Sequence, residues 1–380
     1  MININVPKLE QLKSVSILSS KIEFDKDVKK LWFEVPTKFS KFLITENLDA
    51  FLVGILFLAL KNGQDIKLKA PVSAKLFYNL NHYVIPALCL ANPILKPIKI
   101  FPSTLNEKDL NTGNTAGTGL SCGVDSFATY FDHIEEKGSF KIDYFAFFNA
   151  GSHGSGGKET THLFQERFEK AKKFANSINK EIIKIDSNLS EILNMKFQST
   201  NTLRNVSCVL IFQKLFKNYF IASKNRFDYY ELHAYDTQDY DVLILNLLST
   251  ESTNFHSAVA QLTRVERTQL ISNFPETFPF LDVCTSSKRY KNGVNCSQCN
   301  KCLRTALTLD LLNKLNLYQD VFHIEKYYQL KNSYIAHIVR TRKKDQINRH
   351  IYNLLKEKNA INYWDIVISK FKIGLKGRMK

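Results

Sequence analysis

Two groups of residues in this 380-residue chain have types and spacing that suit chemistry. The first is Ser121-Cys122-Gly123-Val124-Asp125-Ser126, which follows a short strand-like run, Ala116 to Leu120, and opens a helix-like one, Val124 to His133. At such a junction the first N–H groups of the helix lack intrahelical acceptors and favour an anion. Gly123 allows close backbone approach, and the hydroxyls of Ser121 and Ser126 can donate to phosphate oxygens. Asp125 would repel a bare phosphate and fits best if Mg²⁺ bridges it to a triphosphate. The plain alternative is an ordinary strand-to-helix turn with Ser and Asp as caps.

The second group is Cys284 followed by Cys296-Ser-Gln-Cys299-Asn-Lys-Cys302. Seven cysteines occur, an odd count with four gathered in one stretch, which favours a metal site over a disulfide framework. Two-residue gaps let consecutive thiolates bend round one ion, and four thiolates close a tetrahedral Zn²⁺ shell that is structural rather than catalytic. An iron–sulfur cluster is the other option for four thiolates.

The loop resembles the SGGxDS loop of the PP-loop ATP pyrophosphatases, the superfamily that includes GMP synthetase, NAD synthetase and 7-cyano-7-deazaguanine synthase. Cys122 stands where that superfamily has glycine, and is read as a tolerated small residue rather than a thiol acting near the α-phosphate. The order of loop, Arg204-Asn205 pair and late Cys284…Cys296, Cys299, Cys302 site is similar to that of 7-cyano-7-deazaguanine synthase-like proteins, over roughly residues 115 to 310. The resemblance implies a HUP-type parallel-sheet domain with ATP, Mg²⁺ and Zn²⁺ as cofactors. Ser121, Cys122, Gly123, Val124, Asp125 and Ser126 would hold the phosphates, and Asn149 and Asn205 would border the nucleotide. Catalytic roles fall to Asp125, to Arg204 as the cation that neutralises departing pyrophosphate, and to His153. The implied reaction adenylates an oxygen of an unidentified acceptor, whose AMP a nitrogen nucleophile then displaces. The loop also lacks the lysine of a GxxxxGK[ST] site, so γ-phosphoryl transfer has no evident cation.

His153 lies in Asn149 to Gly157, a glycine-rich loop after a strand, where ligands of open α/β sheets bind, and its ordinary pKa suits proton transfer. Leu248 to Ser252 and Arg264 to Arg267 are candidates for substrate contact. Glu266 between two arginines reads as ion-paired, and Phe220, Tyr229 and Tyr230 as core.

Positioning these residues needs an α/β fold. Residues 1–105 alternate β-like runs (Leu31 to Val35, Ile66 to Leu68, Ile98 to Phe101) with helices over Glu46 to Lys61 and Val72 to Tyr83, the second ending ahead of Pro86. They read as a small N-terminal α/β domain acting as scaffold or lid. Residues 106–114 make a linker. Residues 115–303 alternate strands and helices as a parallel sheet requires, and carry the zinc site. Leu303, Leu307, Leu311 and Leu315 open a helical, basic extension over 304–380.

The longest apolar run, Phe51 to Leu60, is half of the roughly 20 residues a membrane span needs, and no leader is visible, so a cytoplasmic, soluble chain is expected. Of the net charge of +16, residues 340–380 supply twelve Lys or Arg against three Asp or Glu. Such an end suits RNA or an acidic partner, or is a solvated surface. A homodimer is left open. The rival readings are a non-catalytic zinc and nucleic-acid binding protein, and a tRNA-modifying PP-loop enzyme.

Overall fold

The computed structural model describes residues 1–25, 27–284 and 295–362. The chain divides into two units. The first comprises Met1–Gly119, His133–Ala175 and Asn179–Ala260, and the second Leu120–Asp132, Asn176–Ile178 and the residues from Gln261 on.

The first unit opens with β1 (Ile2–Ile4), β2 (Lys8–Gln11), β3 (Val15–Glu23) and β4 (Val28–Pro36). In β4 Leu31, Phe33 and Val35 alternate with the less buried Lys30, Trp32, Glu34 and Pro36, which puts the apolar set on one buried face. Next come α1 (Asp49–Asn62), β5 (Ile66–Leu68), β6 (Val72–Ser73), α2 (Ala74–Asn79), α3 (Ile85–Ala91), β7 (Ile100–Phe101) and β8 (Leu105–Asn106). A π-helical turn over Leu80–Val84 joins α2 to α3. Pro86 therefore does not end a helix; it sits in the first turn of α3, where a missing N–H costs little.

From β9 (Thr115–Gly119) the chain runs through α4 (Val124–Asp132), β10 (Ile142–Asn149), α5 (Lys158–Ser177), β11 (Glu181–Ser187), α6 (Leu189–Leu193), α7 (Asn201–Leu210), β12 (Phe216–Ala222), α8 (Asp241–Ile244) and β13 (Asn254–Ala258). The eleven-stranded sheet has the order β13-β12-β9-β10-β11-β4-β3-β1-β5-β7, with β2 beside β3; β6 and β8 pair separately. Its strands are parallel from β13 to β11, antiparallel from β11 to β1, and parallel again to β7. The fold is thus α/β, with a mostly parallel central sheet.

This arrangement corrects the expected division near residue 105. β4 pairs with β11, Glu34 opposite Asp186, so the N-terminal strands extend one sheet rather than building a domain of their own. A strand edge left open would expose unpaired backbone groups, and β4 covers it. One apolar core runs from Ile2 to Phe255 and includes both α1 and α7. The weak strand signal of β9 also has a cause: a side chain at Gly117 would lie 2.5 Å from the Phe216 ring, so a central strand is built from small residues.

The second unit contains α4, α9 (Arg264–Ile271), α10 (Asn300–Leu311), α11 (Ile324–Thr341) and α12 (Gln346–Glu357). Leu303, Leu307, Leu311 and Leu315 are buried as the stripe predicts. The expected boundary at 303 falls inside α10, which packs on α9, α11 and α12. Phe131 of α4 stacks on Phe274 with ring centroids 4.0 Å apart. Among the described residues no helix is long and apolar enough to cross a membrane.

Candidate functional site

β9 ends at Gly119, and the loop Leu120 to Gly123 leads into α4, whose opening N–H groups lack intrahelical acceptors by position. Cys122 takes φ +56°, a left-handed conformation that costs an L-residue about 1–2 kcal/mol, and its side chain is buried. Glycine is the residue that adopts such a φ without strain. The Asp282 N–H donates to the Cys122 carbonyl at 2.7 Å and secures the turn. Ser126 Oγ accepts from the Ser121 N–H and hydroxyl at 3.3 and 3.2 Å and donates to the Gly123 carbonyl at 3.1 Å. The Gly123 N–H in turn donates to Ser121 Oγ at 3.3 Å.

α9 begins with a capping box: Thr263 Oγ1 accepts from the Glu266 N–H, and Glu266 Oε2 from the Thr263 N–H. Glu266 is therefore a helix cap. Arg264 and Arg267, one turn apart on the same face, both reach Asp125 Oδ1, at 2.7 and 2.9 Å. The Arg267 side chain is 2% exposed. Burial alone would raise the Asp125 carboxyl, but Arg264 and Arg267 outweigh it and hold it below its ordinary range.

α10 brings Lys301 and Arg304, also three apart, into the same field. Burial, with Arg264 adding repulsion, pushes Arg304 down to about 10. Burial, then Arg304 and Arg264, lowers Lys301. Neither Lys301 nor Arg304 forms an ion pair among the described residues. Asp125, expected to meet Mg²⁺, has two arginines as its partners among the described residues. Its carboxylate is committed to two guanidiniums, and four neighbouring cations oppose a divalent metal as they favour an anion.

The sulfurs of Cys284, Cys296, Cys299 and Cys302 all lie within 4.8 Å of one another. Cys296 and Cys302 are 3.7 Å apart, and Cys299 and Cys302 3.3 Å. Four thiolates about 2.3 Å from a common zinc would stand about 3.8 Å apart, so the cluster fits that ion. Ser297, at φ +55°, makes the tight turn between Cys296 and Cys299, and Cys299 is the N-cap residue of α10. The buried Asn295 orders the approach: its Oδ1 accepts from the Val283 and Cys284 N–H groups, and its Nδ2 donates to the Leu281 and Val321 carbonyls. Residues 285–294, between the first two cysteines, lie outside the described residues.

Compared with known protein families, curated proteins and solved structures, the chain matches none.

Asn149, His153, Arg204 and Asn205 belong to the first unit, whereas the loop and the cysteines belong to the second. Asn149, ending β10, donates through Nδ2 to Asp186 at 2.8 Å. His153 lies between the Phe147 and Phe164 rings, each centroid 5.3 Å away, with Nδ1 3.1 Å from Ser152 Oγ. Burial, then Arg167, lowers it to about 4, so at neutral pH it is uncharged and has no proton to give as an acid.

Arg204, expected beside departing pyrophosphate, is held in the first unit by its own structural partners. It is 1% exposed, and four of its five N–H donors are engaged: Nε with Thr200 Oγ1, Nη1 with the Ala150 carbonyl and Ser190 Oγ, and Nη2 with the Met195 carbonyl. It clamps the end of β10 to α6 and α7 rather than waiting for pyrophosphate. A side chain at Gly151, where φ is +119°, would lie 2.5 Å from Arg204 Nη1. Asn205 follows on α7, half-buried.

The segment Leu248 to Ser252 is likewise occupied by structure. Ser249 Oγ accepts from the Phe255 N–H, Thr250 Oγ1 from Ser252 and Thr253, and Glu251 from Lys75. Phe220 is core as expected, while Tyr229 and Tyr230 are exposed. Of the residues in the cationic field, sequence reading singled out Arg264 and Arg267 but missed Lys301 and Arg304. Their signal was their position in Cys299-Asn-Lys301-Cys302-Leu-Arg304, on the turn that carries the metal ligands.

Proposed function

We propose that this chain binds the phosphates of ATP at the loop opening α4 and forms AMP and pyrophosphate while adenylating an acceptor oxygen. One observation carries the reading: Arg264 and Arg267 of α9 and Lys301 and Arg304 of α10 gather around that loop, and the ion-paired carboxylate among them is Asp125. Among the described residues these four cations outnumber the acids in their field, Asp125 and, at Arg304, Asp345, and the excess favours a ligand with several negative charges. Guanidinium forks and the unpaired N–H groups of a helix start are the donors phosphate prefers. The similarity of Ser121 to Ser126 to the PP-loop supports attack at the α-phosphate, with pyrophosphate departing into the basic field.

Catalysis of this kind needs an in-line nucleophile and a neutralised leaving group more than acid–base machinery, which agrees with an uncharged His153. Any magnesium would arrive with the nucleotide rather than be fixed by Asp125. Zinc on the four cysteines would supply structure only. The test is α-labelled ATP incubated with the protein and cell extract, followed by separation of the nucleotides. Label in AMP, dependent on Arg267, is expected; label in ADP, also dependent on Arg267, refutes the assignment.

A second reading, anion binding without turnover, is favoured by Cys122, whose left-handed backbone strains a position where the resembled loop has glycine. ATP binding without AMP formation for any acceptor fraction would select it.

A further inference from the structure

α10 serves two sites. Cys299 occupies its N-cap position and Cys302 lies in its first turn, so two of the four metal-ligand candidates are built into this helix end. Lys301 sits between them, and Arg304 follows two residues after Cys302. The same turn that closes the thiolate cluster therefore carries two of the four cations of the anion site. These cations repel one another, and each lies in the field of Arg264. Something must hold the turn in place against that repulsion.

Local hydrogen bonds do part of this. Tyr334 donates to Asn300 Oδ1 at 2.6 Å, and Asn295 ties Val283 and Cys284 to the Leu281 and Val321 carbonyls. Four thiolates around a divalent ion do more. Bound to such an ion, they would hold Cys299 and Cys302 in place and leave a net charge of about −2 beside Lys301. Loss of the ion would free the turn and remove that charge.

We infer that the metal centre is the prop of the anion site: by holding the first turn of α10 it sets Lys301 and Arg304 against the phosphates, so metal occupancy and anion affinity are coupled. This rests on the reading that phosphates bind at the start of α4. Coupling between two ligands is reciprocal, so a bound anion must retain the metal by the same factor by which the metal strengthens the anion.

The reciprocal form gives a test on the intact, metal-loaded chain. Calorimetric titration with pyrophosphate is done first; no binding there overturns the underlying reading of the site. Transfer of zinc to a chromogenic chelator is then measured in sulfate and in chloride at equal ionic strength, sulfate being a dianion that does not itself strip zinc. Zinc retention at least fivefold stronger in sulfate is expected, with the difference lost in Lys301→Met, which keeps all four cysteines. Arg304→Met should behave the same way, and serves if Lys301→Met folds poorly. If pyrophosphate and sulfate both bind in the calorimeter yet the wild-type chain releases zinc equally in sulfate and chloride, the coupling is refuted and the anion site stands.

Discussion

Asp125→Asn separates the two roles a carboxylate could have at this loop. As a magnesium ligand it would strengthen nucleotide binding; as a counter-ion to arginines it competes with the nucleotide. Asn keeps the shape and removes one negative charge. A carboxylate and a phosphate dianion about 6 Å apart at an effective dielectric of roughly 40 repel by about 3 kcal/mol. With solvent screening at a side chain 31% exposed, about 1–2 kcal/mol of relief is reasonable, so pyrophosphate should bind roughly five- to thirtyfold more tightly.

The same change costs stability. Two charge-assisted contacts, at 2.7 and 2.9 Å, are weakened and the guanidiniums lose their counter-charge. About 2–4 kcal/mol is expected, allowing for partial exposure. The folded-state carboxyl is held below its ordinary value, so its contribution is fully present above the unfolded pKa of about 3.9 and is lost as pH falls through the lower folded value. The stability gap between wild type and variant should thus be constant near neutrality and close in acid. Urea titrations from pH 3 to 7, with calorimetric pyrophosphate binding at pH 7, measure both effects. Weaker pyrophosphate binding by a folded Asp125→Asn protein would refute the counter-ion argument and restore the cation-ligand role.

Three further outcomes follow from the geometry. The chain should purify with one zinc; Asn295→Ala, which strands the Val283 and Cys284 N–H groups, should lower both metal retention and stability, by about 2–4 kcal/mol, and unchanged zinc content and melting would remove Asn295 from the centre. Arg204→Met should destabilise the first unit by about 3 kcal/mol yet leave pyrophosphate affinity within twofold, whereas a hundredfold loss of affinity in a folded variant would return Arg204 to the phosphates. If the basic end serves RNA, Arg340, Arg342, Lys343, Lys344 and Arg349 around the turn from α11 to α12 would contact it. RNA affinity should fall steeply with salt and with substitution of Lys343 and Lys344 by Glu, and a salt-independent affinity would reject it. Substitution tests this better than removal of the whole basic end, because Ile351, Leu354 and Leu355 are buried and α12 packs on α9; residues 363–380 of the basic end lie outside the described residues.

What the sequence determined by itself is local. The loop between a strand and a helix, the CxxCxxC spacing, the buried α1 and the leucine stripe of α10 all depend on residues within a turn or two of one another, and short-range periodicity reports those. Tertiary structure decided which charges meet. Arg267 and Asp125 are 142 residues apart, and no local pattern tells whether that carboxylate faces a metal or a guanidinium. Arg204 looked the same in sequence whether it served phosphate or the carbonyls of Ala150 and Met195; burial resolved it, because a guanidinium shut away from water must give its N–H groups to whatever oxygens surround it. The joining of the N-terminal strands to the sheet was likewise invisible, since the pairing of β4 with β11 spans about 150 residues and satisfies an edge that only the assembled sheet creates.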